Sequence, residues 1–166
     1  MPVINLKKQQ SLSAERLRKL VHYDAETGEF TRKAMRFDRR PFGTISRWGY
    51  RVAWIDGSLF MVHRLAWLYV HGEWPAYILD HINRNRVDNR IANLREADDV
   101  QSNVNRRARG GRAHKGITWQ HGRWQAQIRH GGKNLYLGRF DTADEAAAVY
   151  AAKALEFHGK FAEAQP

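Results

Sequence analysis

The run Asn105-Arg106-Arg107-Ala108-Arg109-Gly110-Gly111-Arg112 holds two glycines, four arginines and nothing for a core to bury. Threading it through a domain interior would cost backbone entropy and desolvate charge with no apolar gain. It therefore divides the 166 residues into two pieces, each small enough to be only marginally stable. The run reads as a solvated linker, as an arm tracking a polyanion through Arg106, Arg107, Arg109 and Arg112, or as both.

A formal net charge of +11 repels itself on folding and calls for a polyanionic partner. Nucleic acid comes first. An anionic membrane surface comes second and is weak, because no apolar run of about 18 residues exists. Charged residues at 27% beside hydrophobic residues at 43% describe a globular rather than a disordered chain. The absence of cysteine excludes disulfides and thiolate zinc, leaving His, Asp, Asn and Glu as ligands. It suits an intracellular setting, and Met1 to Gln10 is too polar for a secretory signal.

Pattern reading gives a short helix capped by Ser13, with Leu17, Leu20 and Val21 on one face. A turn over residues 24–28 and a strand over residues 30–33 follow. Residues 45–55 and 59–62 read as strands joined at Asp56-Gly57, a strong hairpin dipeptide. A helix over residues 63–69 stops at Gly72 before Pro75. Residues 78–82 and 94–97 read as short strands around the polar loop 83–93, with a helix from about Asp98. Beyond the basic run come strands near residues 116–119, 124–129 and 134–137, then a helix over residues 144–157. Thr142 and Glu145 have capping-box spacing and Gly159 suits a helix end.

The chemistry concentrates in Asp80-His81-Ile82-Asn83, Asp88-Asn89-Arg90 and Asn93-Leu94-Arg95. Neighbouring strand residues face opposite ways, so Asp80 and His81 can share a site only if the strand ends there. A hard divalent cation prefers the carboxylate, and a neutral imidazole is a good base near pH 7.

Together with Gly49-Tyr50, His63-Arg64-Leu65-Ala66-Trp67 and Gly72-Glu73-Trp74-Pro75, these motifs resemble phage-borne HNH endonucleases related to homing nicking enzymes, over about residues 13–107. The resemblance implies an α+β chain with a ββα-metal (His-Me finger) core near residues 76–107. His81 would be the general base, Asp80 would hold one divalent ion (magnesium first, manganese second), and Asn93 would orient His81. The family's last ligand is an asparagine on the following helix. Here Ser102 falls at that position with Asn103 beside it, and Asn103 is the favoured ligand. His63, Arg64, Arg90 and Ser102 are accessory candidates, with Arg90 a phosphate contact.

About residues 113–162, notably Gly116-Ile117-Thr118-Trp119, Gly122-Arg123-Trp124-Gln125-Ala126-Gln127-Ile128-Arg129 and Leu135-Tyr136-Leu137-Gly138-Arg139-Phe140, resemble the plant APETALA-type (ethylene-response) DNA-binding domain. That implies a three-stranded antiparallel sheet laid on the major groove of double-stranded DNA and backed by a helix. Trp119, Arg123, Trp124, Gln127, Arg129 and Tyr136 would meet DNA, since Arg and Gln make bidentate contacts to base edges. Thr118, Gln127, Asn134 and Tyr136 depart from the plant pattern, so its target sequence does not carry over.

The chain is thus expected to hold an HNH domain over residues 1–107, a linker over 108–113 and an APETALA-type domain over 114–166. The expected activity is metal-dependent DNA nicking or cutting, in the cytoplasm of a bacterial or phage-infected cell, with no membrane partner and no oligomer indicated. The rivals are a catalytically inactive DNA-binding regulator on the same scaffold and an RNA-binding module.

Overall fold

A computed structural model of the chain describes residues 11–33, 41–98, 102 and 114–162. Helix and strand are mixed, in two compact units, Met1–Asp98 and Asp99–Pro166. Among the described residues no helix is long and apolar enough to cross a membrane.

The first unit opens with α1 (Ala14–Leu20), capped by the Ser13 hydroxyl, which accepts from the Arg16 amide. Leu17 is fully buried, but Val21 leaves the helix and begins β1 (Val21–Tyr23). β1 pairs antiparallel with β2 (Phe30–Arg32) around a turn in which the Asp24 side chain accepts from the Glu26 amide at 2.9 Å. The expected strand over 45–55 is instead two, β3 (Thr44–Ile45) and β4 (Arg51–Ile55). The Gly49 amide donates to Ser46 O at 2.9 Å and Gly49 takes φ +79°, so the chain reverses inside what reads as one alternating run. β5 (Ser58–Met61) pairs with β4 across Asp56-Gly57, where both residues have positive φ, as a tight hairpin demands.

β5 runs directly into α2 (Val62–His71), whose N-cap Met61 has no side-chain cap. Burial of Val62, Leu65, Ala66 and Leu68 does the stabilising that a cap would do elsewhere. Gly72 ends the helix in the left-handed conformation. The core gathers Leu12, Leu17, Val21, Tyr23, Phe30, Phe42, Phe60 and Leu65 beside Leu94 from the next hairpin. That hairpin is β6 (Ile78–His81) against β7 (Leu94–Ala97), preceded by a 3-10 turn over Ile91–Asn93. The helix expected from about Asp98 falls mostly outside the described residues, although Ser102 is helical and buried.

The second unit is a meander of β8 (Ile117–Gln120), β9 (Arg123–His130) and β10 (Lys133–Phe140) in the order β10-β9-β8. α3 (Ala143–His158) packs on it, with the complete Thr142/Glu145 capping box and Gly159 at its C-terminus. Its small cores join Ile117, Ala126 and Ala146, and Ile128, Ala154 and Ala162. Gly116, at φ +72°, lets the chain pass so close that an added Cβ would lie 2.1 Å from the Tyr150 ring.

Candidate active site

β6 ends at His81, the condition for Asp80 and His81 to act together. His81 pairs with Leu94 and is buried, and its ring centroid lies 5.0 Å from His63 and 6.0 Å from Tyr50. Burial holds the His81 imidazole below its ordinary value, while Asn89, Asp80 and Asp88 pull the other way. His63 is held well below its ordinary value by burial and then by His81 and Arg64. Both rings are therefore neutral near pH 7, the state in which an imidazole can accept a proton.

The loop from residue 83 to 90 braces the imidazole. Asn89 Nδ2 donates to Val87 O at 3.2 Å, which turns its Oδ1 toward His81 Nε2 at 3.4 Å. An amide oxygen only accepts, so in this contact His81 Nε2 stands on the donor side. Asn89 is itself fully buried and is braced from far away in sequence. The Tyr23 hydroxyl donates to Asn89 O at 2.7 Å, and burial pushes that phenol up to about 12. At Gly28 (φ +75°) a Cβ would come within 2.5 Å of Arg90 N, so glycine lets the 24–28 turn press on this loop.

Asn93 was expected to orient His81, but its amide goes elsewhere. Its Nδ2 donates to Asn83 Oδ1 at 3.0 Å and to Asp88 O at 2.8 Å, while its Oδ1 accepts from Asn83 N at 3.0 Å. Asn93 shapes the loop and Asn89 touches the imidazole; a two-hydrogen amide spent on the loop has none left to give. Asp88 receives Arg90 through both carboxylate oxygens, at 2.8 and 2.7 Å. Arg90, with Asn83 second, draws the Asp88 carboxyl down to about 2. Arg90, an expected phosphate contact, is thus already paired.

Asp80 lies across the hairpin from Arg95, whose Nε and Nη2 reach Asp80 Oδ2 at 3.3 and 3.2 Å. The carboxylate is 13% exposed. Arg64 is buried and ties α2 to the approach of β6, donating to Pro75 O at 3.3 Å and Tyr77 O at 3.4 Å. Desolvation lowers it to about 10. Asn103, Arg106, Arg107, Arg109 and Arg112 lie outside the described residues. Among the described residues no group of three or more His, Asp or Glu forms a cation cage. A magnesium ion needs no such cage, because it keeps several waters and takes one or two carboxylates plus substrate phosphate oxygens. Asp80 is a donor of that kind in its chemistry, with Oδ2 engaged by Arg95.

In the second unit the expected DNA-facing residues divide between two faces. Arg123, Gln127 and Arg129 alternate along β9 on the open face, where Tyr136 pairs with Gln127 and is 61% exposed. Trp124 has the opposite parity and packs toward Ile117 and Ala126, with its cross-strand partner Trp119 on the same side, 56% exposed. Arg123 is drawn toward Asp141 at 3.3 Å. Arg139, exposed and paired with Gln125, joins the open face. A bulge between Tyr136 and Gly138 inserts one residue, so simple alternation misplaces it.

Residues 60–103 match the family model described as HNH endonuclease. The chain is 27% identical, over 143 residues, to an uncharacterized HNH endonuclease of Acanthamoeba polyphaga mimivirus, covering 81% of this chain and 75% of that one. A 56-residue stretch is 48% identical to AP2-like ethylene-responsive transcription factors of Oryza sativa subsp. japonica and Arabidopsis thaliana. It covers 31% of this chain, which in turn spans only 9% and 10% of the length of those plant relatives. No solved structure matches. The resemblances to HNH endonucleases and to the ethylene-response DNA-binding domain both hold.

Proposed function

We propose, taking the HNH endonuclease match of residues 60–103 as premise, that the chain hydrolyses DNA phosphodiester bonds with His81 as general base. The observation that carries this is the buried His81, kept neutral and held through Nε2 by Asn89, with Asp80 beside it at the strand end. The His81 imidazole would take a proton from water as the oxygen attacks phosphorus, a role that contributes roughly 10²–10⁴-fold. His63 and Tyr50 lie beside the imidazole, with ring centroids 5.0 and 6.0 Å away. Asp80, with Asn103 as the expected second oxygen donor in a ββα-metal arrangement, would hold one divalent cation, magnesium first. When bound, the cation neutralises charge on the phosphoryl oxygens and on the departing alkoxide. The second unit would supply affinity for double-stranded DNA through Gln127, Arg129, Arg139 and Tyr136.

The test is plasmid nicking with magnesium, with EDTA, and with His81→Ala. Magnesium-dependent nicking that disappears in the variant supports the reading, and nicking that survives His81→Ala removes it. A second reading, a DNA-binding regulator without catalysis, is favoured by the Arg95–Asp80 pair, which already compensates the carboxylate's charge. Tight DNA binding with no nicking in any divalent ion would select it.

A further inference from the structure

Several arginines of the first unit are spent on carboxylates: Arg16 on Asp56, Arg90 on Asp88 and Arg95 on Asp80. Arg47 and Arg86 meet no carboxylate among the described residues, and both are exposed. They lie instead over aromatic rings. Arg47 sits 4.1 Å from the Trp48 ring centroid and Arg86 sits 4.8 Å from that of Tyr50. Arg86 Nη1 also donates to Trp48 O at 2.7 Å, joining the 46–49 turn to the catalytic loop. The same Tyr50 ring lies 5.3 Å from His63 and 6.0 Å from His81. Arg86 thus stands beside the candidate base, and Arg47 lies on the turn that Arg86 holds through the Trp48 carbonyl.

Stacking on a ring orients a guanidinium without neutralising it, and the in-plane N–H groups stay available around the ring's edge. The Trp48 carbonyl uses one of five N–H donors on Arg86. Planar forks held at fixed orientation suit phosphate oxygens, and arginine makes such contacts in pairs of parallel bonds. A cation that merely kept the protein soluble would have no need of two loops to hold it.

We propose that Arg47 and Arg86 form a phosphate clamp on the DNA backbone beside the scissile bond, with Tyr50 and Trp48 as the platforms that aim them. The clamp rests on the endonuclease reading for its substrate, but its test does not require cleavage. In a His81→Ala background, affinity of the full chain for a fluorescein-labelled duplex is measured by anisotropy from about 50 to 200 mM salt. Each lost phosphate contact lowers the slope of log affinity against log salt by about 0.9. Arg47→Gln is expected to lower it by about one and Arg47→Gln with Arg86→Gln by about two. Arg16→Gln, which removes a carboxylate-paired charge, is expected to leave it unchanged.

Arg86 also bridges two loops, so Arg47→Gln, whose loss touches only the Trp48 ring, is the variant that keeps the result readable if the double variant unfolds. An unchanged slope in folded Arg47→Gln overturns the clamp. An equal fall for Arg16→Gln overturns it too, since bulk charge would then account for the effect. A slope that falls as expected in a chain whose His81 parent never nicks keeps the clamp and removes the endonuclease. Tighter binding to a structured RNA than to the duplex, with the arginine effects confined to that RNA, overturns the choice of DNA.

Discussion

Among the described residues the largest fully buried apolar side chains, Leu17, Leu65, Leu68 and Val62, all belong to the first unit, whereas the buried positions of the second are largely Ala126, Ala146 and Ala154 beside Ile117 and Ile128. The helices differ in the same sense. α2 starts without a side-chain cap and is held by the core, while α3 carries a full capping box at one end and glycine at the other. A base that must be held within a fraction of an ångström belongs on the deeper core. A sheet that spreads over a polyanion can be built on a thin core with strong local signals. The unit with the candidate chemistry has the bulkier core, and the other joins a thin core to strong capping and turn signals.

The sharpest break is His81→Ala, which should lower nicking about 10²–10⁴-fold while leaving duplex affinity, measured by anisotropy, at the parent value. Next, Leu65→Ala, at a position with no exposure, should cost about 2–5 kcal/mol in urea unfolding. If the units melt separately, only the transition lost together with the His81 environment should move. Gly116→Ala forces a Cβ against Tyr150 at positive φ and should cost the second unit about 1–3 kcal/mol, read as weakened DNA binding on warming with nicking chemistry intact. Thr142→Ala removes the α3 cap and should cost about 1 kcal/mol in the same transition.

The smallest effect is a pH window. Asp88 titrates near 2 in the folded chain against an ordinary 3.8, so its contribution to stability is complete above about pH 4 and fades as pH falls toward 2. Acid unfolding of Asp88→Asn, followed by circular dichroism, should lack that part of the slope.

Much of this was legible in the residues because its causes are local. Asp56-Gly57, the Thr142/Glu145 box and the Asp80-His81 strand end each carry their reason within a few positions. What was not legible depends on register or on distant partners. The burial of Asn89 against His81 was not legible, because the backbone it hangs from is braced by Tyr23, 66 residues earlier. Alternation ran straight through Ser46 to Tyr50 and hid a reversal, and one inserted residue at Leu137 moved Arg139 onto the face of Gln127. Arg95 meets Asp80 only because β6 and β7 pair in one register. Trp119 and Trp124 lie on the face opposite Gln127 because period-two parity, rather than aromatic character, decides sidedness.

The Tyr23 hydroxyl and the bare Cα of Gly28 have a consequence for transplanting this machinery. A cassette cut at residue 60 would carry every signature residue of the nuclease segment, yet it would leave behind both supports of the Asn89–Arg90 peptide. Its histidine would keep its chemistry and lose its aim. A graft of this candidate site must therefore begin no later than the first helix, and its length is set by an upstream strut rather than by the motif.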